Sequence, residues 1–115
     1  MGNFNDVLEV KAGALEPIFF VYLLQSDGIT PLNISGVQSA QFRMRTELAS
    51  TLTVNNQPMQ IINASLGQLQ YQWQPGDTST PGRYLAEVQC NFLMNGPLIM
   101  PTHGYYRIYI SPRLP

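Results

Sequence analysis

Charge is scarce in this sequence. Only 11% of its 115 residues are charged, against about 25% in an average soluble domain, and five Arg and one Lys stand singly along the chain with a formal net charge of −1. Electrostatic steering is therefore a poor theme for its partners, and a phosphate-neutralising footprint for nucleic acid is not expected. A single cysteine, Cys90, excludes an internal disulfide and a cysteine-ligated metal centre. The lone histidine, His103, has no second imidazole and no nucleophile motif beside it. The longest apolar run, Ile18 to Leu24, is seven residues, far short of the roughly 20 that a membrane-crossing helix needs. No basic segment followed by an apolar one opens the chain, so synthesis in the cytosol is expected. The seven carboxylates (Asp6, Glu9, Glu16, Asp27, Glu47, Asp77 and Glu87) fall into no pair of the kind acid–base chemistry uses. The glycines are isolated and form no phosphate-binding loop. These shortages point away from an enzyme, and no cofactor or metal is expected.

The place of the missing charge is taken by ten Gln and eight Asn, and apolar residues make up 44% of the chain. Their arrangement has period two. In Gln68-Leu69-Gln70-Tyr71-Gln72-Trp73-Gln74 every odd position is apolar and every even one is Gln, the pattern of a half-buried strand with Trp73 on its core side. Ala40, Phe42 and Met44 alternate with Gln41, Arg43 and Arg45, and Tyr84, Ala86, Val88, Cys90 and Phe92 form a similar series. Turn chemistry (Asp27-Gly28, Ser35-Gly36, Asn55-Asn56, Pro75-Gly76-Asp77, Pro81-Gly82, Asn95-Gly96-Pro97) separates such runs. Strands are predicted over 6–10, 17–25, 37–46, 52–54, 59–63, 68–74, 83–92 and 105–110. This is the spacing of a single all-β sandwich domain spanning 1–115, with no linker or repeat dividing it.

Two segments carry more apolar surface than one core needs. Ile18 to Leu24 does not alternate; with Ile18, Phe20, Tyr22 and Leu24 facing inward, Phe19, Val21 and Leu23 form an outward row suited to a protein contact. The last strand interleaves Tyr106, Ile108 and Ile110 with Tyr105, Arg107 and Tyr109, so Tyr105 and Tyr109 offer a second row. Low charge, Gln-rich faces and spare tyrosines suit a lasting, wet assembly interface. An adhesion module that stacks sugars on aromatic residues is the competing reading, although alternation turns Trp73 away from solvent.

The run Pro75-Gly76-Asp77-Thr78-Ser79-Thr80-Pro81-Gly82-Arg83-Tyr84-Leu85-Ala86-Glu87 resembles the N-terminal domain of the tailed-phage baseplate upper protein family. Further matching pieces, in the same order, are 24–36 with Ala40 to Arg45 after it, Gly67 to Tyr71, and Pro101 before the closing strand. The resemblance implies an immunoglobulin-like antiparallel sandwich of seven to eight strands. In it, Asp77, Pro81 and Gly82 shape the turn that leads into Tyr84, whose hydroxyl is placed to return to the turn backbone as a tyrosine corner. Ala86 stands where antibody-type domains have a cysteine, so no disulfide is expected. The resemblance further implies a structural virion protein, made in the bacterial host cytoplasm. It would be a stand-alone module that joins tail or baseplate subunits, or decorates major capsid subunits on the head, as one of several copies.

Overall fold

A computed structural model describes residues 7–94 and 96–114. Among the described residues nine strands form in chain order: β1 (Val7–Lys11), β2 (Phe19–Tyr22), β3 (Val37–Thr46), β4 (Val54–Pro58), β5 (Gln60–Asn63), β6 (Gln68–Tyr71), β7 (Gly82–Phe92), β8 (Gly96–Met100) and β9 (Tyr106–Ser111). The only helical element among the described residues is one 3-10 turn, Ala64–Leu66. The larger sheet has the order β1-β9-β7-β3-β4, with β8 also on β7; the smaller is β2-β6-β5. All pairings are antiparallel except β1 with β9, which run parallel. Two sheets, a chain that steps from one to the other between β4 and β5, and no disulfide make an immunoglobulin-like β-sandwich.

The inner faces supply the core. Phe42 of β3 lies at its centre, stacked on Tyr71 at 4.6 Å between ring centroids and edge-on to Trp73 at 5.7 Å. Phe19 of β2 reaches across to the same ring at 4.8 Å. This aromatic cluster bridges the sheets, where antibody domains use a disulfide. Cys90 is fully buried beside it, and burial pushes its thiol up to about 11, so it serves as a small apolar residue.

The structure reverses the expected facing of β2. Phe19, Val21 and Leu23 are core residues, all nearly inaccessible, while Phe20 is 36% exposed and Tyr22 half-buried. An unbroken apolar run carries no phase of its own; the partner strand sets it. Phe19 pairs with Tyr71 and Val21 with Leu69, the two inward residues of β6, and the Leu23 N–H donates to the Gly67 carbonyl at 2.8 Å. Phe20 and Tyr22 lie opposite Gln70 and Gln68, on the solvent side. The row Phe19, Val21 and Leu23 is therefore no protein contact.

Other expectations shift less. Asn55-Asn56 lies within β4 and not in a turn: β4 carries an extra residue against β3 between Met44 and Phe42, and Asn56 takes φ 52° there, a conformation Asn tolerates. β8 was not predicted, because Gly96-Pro97 reads as turn chemistry; Pro97 sits in a strand on the sheet's edge. The predicted strand over 68–74 ends at Tyr71, yet Trp73 keeps the inward parity and donates its indole N–H to the Pro17 carbonyl at 2.8 Å. The predicted start at residue 6 lies outside the described residues.

Candidate assembly interface

Strand register on the larger sheet brings side chains that are far apart in sequence into rows on its outer face. Glu9, Tyr109 and Arg83 form one row across β1, β9 and β7. Val7, Arg107, Leu85 and Arg45 form the next, across β1, β9, β7 and β3. Glu87 and Arg43 follow, and beyond them lie Ile99, Gln89 and Gln41. Inward neighbours at alternate positions, such as Ile108 with Tyr84 and Tyr106 with Ala86, show that the period-two rule holds throughout. Lys11 continues the β1 series. Five of the six basic residues, Lys11, Arg43, Arg45, Arg83 and Arg107, thus share one face, although they stand singly in the sequence.

The two tyrosines expected at an interface lie on this face, each beside an arginine. The Arg45 guanidinium carbon is 5.6 Å from the Tyr105 ring centroid, and that of Arg83 is 5.9 Å from Tyr109, within reach of cation–π attraction. Tyr105 is 37% exposed and Tyr109 half-buried. Arg45 is also held in place: one guanidinium nitrogen donates to the carbonyls of Thr46, Glu47 and Ala49 at 2.9–3.2 Å. That grip shapes the loop after β3 and presents Glu47 to Arg107 at 3.5 Å. Both partners of this ion pair are well exposed, so it adds little to stability. Farther along, Arg43 donates to Gln89, Gln89 to Asn91 at 2.8 Å and Asn91 to Ser39 at 3.1 Å, an amide network bound to the sheet surface.

The face sets Arg45 and Arg83 against Tyr105 and Tyr109, with Val7, Leu85 and Ile99 between the charged rows; aromatic residues and arginine are side-chain types enriched at protein contacts. Strand parity in the sequence places Tyr105 and Tyr109 on the outward side, where the structure has them. It missed the arginines because their grouping requires the strand order β1-β9-β7-β3, which no local pattern states.

The turn residues singled out in the sequence form a separate, structural group. Asp77 accepts the Tyr71 hydroxyl at 2.5 Å and the Gln74 N–H at 2.9 Å, closing the turn after β6. The buried Thr78 hydroxyl donates to the Ala14 carbonyl at 2.7 Å, tying that turn to the segment between β1 and β2. After Pro81 and Gly82, the Tyr84 hydroxyl donates to the Thr80 carbonyl at 2.7 Å, the contact of a tyrosine corner. Burial raises the pKa of Tyr84 above the usual phenol range. His103 lies exposed in the segment before β9. Among the described residues no group of three or more His, Cys, Asp or Glu could hold a metal ion, and no helix is long and apolar enough to cross a membrane.

Comparison with protein-family models, with curated proteins and with solved structures finds no match for this chain.

Proposed function

We propose that this chain is a structural virion protein of a tailed phage, an immunoglobulin-like module that binds other virion proteins, in the tail or baseplate, and carries out no catalysis. The observation that carries the binding role is the outer face of the larger sheet, where Tyr105 and Tyr109 lie against Arg45 and Arg83 beside Val7 and Leu85. Aromatic residues and arginine are the side chains most enriched where protein contacts concentrate their energy. The virion setting rests on the resemblance of residues 75–87, with its turn and tyrosine corner, to the baseplate upper protein family.

The test is electron microscopy of purified particles with a gold-labelled antibody against the chain. Label at the tail end is the expected result. Label over the head would replace the baseplate reading with capsid decoration. Bare particles, with an antibody proven on the isolated chain, would overturn the virion role and favour the adhesion module, for which glycan binding by the isolated chain is the corresponding measurement.

A further inference from the structure

Charge is unevenly spread over the outer face of the larger sheet. Leu85 of β7 lies where its rows cross: Arg107 of β9 and Arg45 of β3 stand opposite it on either side, and Arg83 is the outward residue before it on its own strand. Three of the chain's six basic residues thus surround one half-buried leucine. Neighbouring strands are about 4.8 Å apart and successive outward residues about 7 Å, so these cations repel one another at short range. The fold sets one carboxylate against them. Among the described residues the pair of Arg107 with Glu47, at 3.5 Å, is the only ion pair. Arg45 is met by three carbonyl oxygens and Arg83 by the Tyr109 ring, contacts that orient a guanidinium without neutralising it.

We infer that Arg45, Arg83 and Arg107 around Leu85 receive a carboxylate-bearing segment of the partner protein, an acidic side chain entering among the arginines while an apolar neighbour covers Leu85. This names the chemistry of the partner and rests on the reading of this face as a protein contact. Charge complementarity selects the occupant. The chain as a whole has a formal net charge of −1, yet this group holds three cations against the single carboxylate of Glu47. A guanidinium presents paired N–H donors that match the two oxygens of a carboxylate, and two of the three are already oriented by their own chain. Glu47 is exposed and gives way to a partner's carboxylate at Arg107. A nucleic acid fits less well. Glu87 is the next outward residue after Leu85, and Glu9 shares a row with Arg83, so an unbroken line of phosphates would meet carboxylates on both flanks. A protein segment can alternate its charges and offers an apolar side chain for Leu85.

Fluorescence anisotropy of labelled heptapeptides titrated with the intact chain tests this. The first peptide alternates Glu and Leu, so that an extended chain is acidic on one side and apolar on the other; in the second and third, Gln and Lys replace Glu. The Glu peptide should bind at least ~10-fold more tightly than the Gln peptide, the Lys peptide should bind least, and raising the salt from ~20 to ~300 mM should remove most of the difference. Arg83→Gln and Arg107→Gln should each weaken binding of the Glu peptide by about 5-fold or more. Arg113→Gln removes the same charge at a residue that lies against Gly13, away from this group, and should leave binding unchanged.

Equal binding of the Glu and Gln peptides, or an equal loss with Arg113→Gln and Arg83→Gln, would overturn the inference. So would a labelled oligothymidylate of the same charge that binds more tightly than the Glu peptide, since the group would then receive phosphate. Circular dichroism checks folding of the variants. Arg83 and Arg107 are both exposed; should Arg107→Gln disturb the loop that carries Glu47, Arg83→Gln alone makes the comparison. The antibody label on particles is read without these peptides, so the two readings fail separately. Label at the tail end with no preference among the peptides keeps the virion role and removes the acidic partner, and a preference on a chain absent from particles does the reverse.

Discussion

The two sheets share one core but differ in how they meet solvent. On the larger sheet, outward positions hold Lys11, Arg43, Arg45, Arg83 and Arg107 with Glu9 and Glu87 among them; on the smaller they hold Gln60, Gln68, Gln70, Phe20 and Tyr22 and no charge. A chain that is only 11% charged has placed nearly all of its basic residues on one surface. The shortage of charge is therefore local. Averaged over the composition it reads as a weak field, whereas on the fold it separates a surface that carries five of the six basic residues from one that carries no charge.

The comparison assigns Phe20 and Leu23 to opposite sides of the smaller sheet, and this gives its most severe test. Leu23→Asp places a carboxylate at a position with no accessible surface, at a cost above ~4 kcal/mol, comparable with the whole stability of a small domain. Circular dichroism and urea titration should find no folded protein. Phe20→Asp, three residues earlier on the solvent side, should fold and lose about 1 kcal/mol through its contact with Tyr22. Equal tolerance of the two substitutions would reverse the facing of β2 and return Phe19, Val21 and Leu23 to the surface.

The facing of β2 also marks how far the sequence could be read. Strands β3, β6 and β7 were legible because polar residues interrupt their apolar series at every second position apart from Leu85 of β7, and such an alternation has one phase. Ile18 to Leu24 has no such marker. Its phase is written in another strand, in Gln68 and Gln70, and becomes readable only when the pairing of β2 with β6 is known. The tyrosine corner was legible because Pro81, Gly82 and Tyr84 act within a few residues of one another. The arginine face was not, since it joins residues from four strands. β8 was hidden by Pro97, which a strand accepts here because β8 lies on an edge.

At the end of the smaller sheet, Gly67 sharpens the contrast between an open surface and a closed junction. It follows the 3-10 turn with φ 65°, and a Cβ there would come within 2.6 Å of the Leu32 carbonyl oxygen and 2.8 Å of that of Leu23. Both obstacles are backbone, so neither can turn aside. Gly67→Ala should cost about 2–3 kcal/mol, read as a lower urea midpoint with an unchanged slope. A loss below half that size would mean that the β2–β6 junction yields easily.

On the larger sheet the corresponding anchor is the Tyr84 hydroxyl. Tyr84→Phe keeps the buried ring and removes its bond to the Thr80 carbonyl, leaving that oxygen to find water. The expected loss is about 1 kcal/mol. A neutral result would show that Pro81 and Gly82 hold the turn without the corner.

The smallest effect on stability is expected where the largest effect on binding is proposed. Arg83 is exposed and touches its own chain through the Tyr109 ring at 5.9 Å, a contact that contributes about 0.5 kcal/mol at such a site. Arg83→Glu should therefore melt within a degree or two of the wild-type protein, yet reverse the charge between Tyr109 and Leu85 at the centre of the face. On the proposed virion role, incorporation into particles, measured by adding the purified variant to a phage grown without the wild-type chain, should drop sharply, and Tyr109→Ala should do the same without any change of charge. Phe20→Asp and Gln70→Lys, which alter the neutral face, should reach the particle as the wild type does. Were the two sets of variants to exchange phenotypes, the sheets would keep their contrast in charge but swap roles, and the neutral face would be the one that meets the other virion proteins.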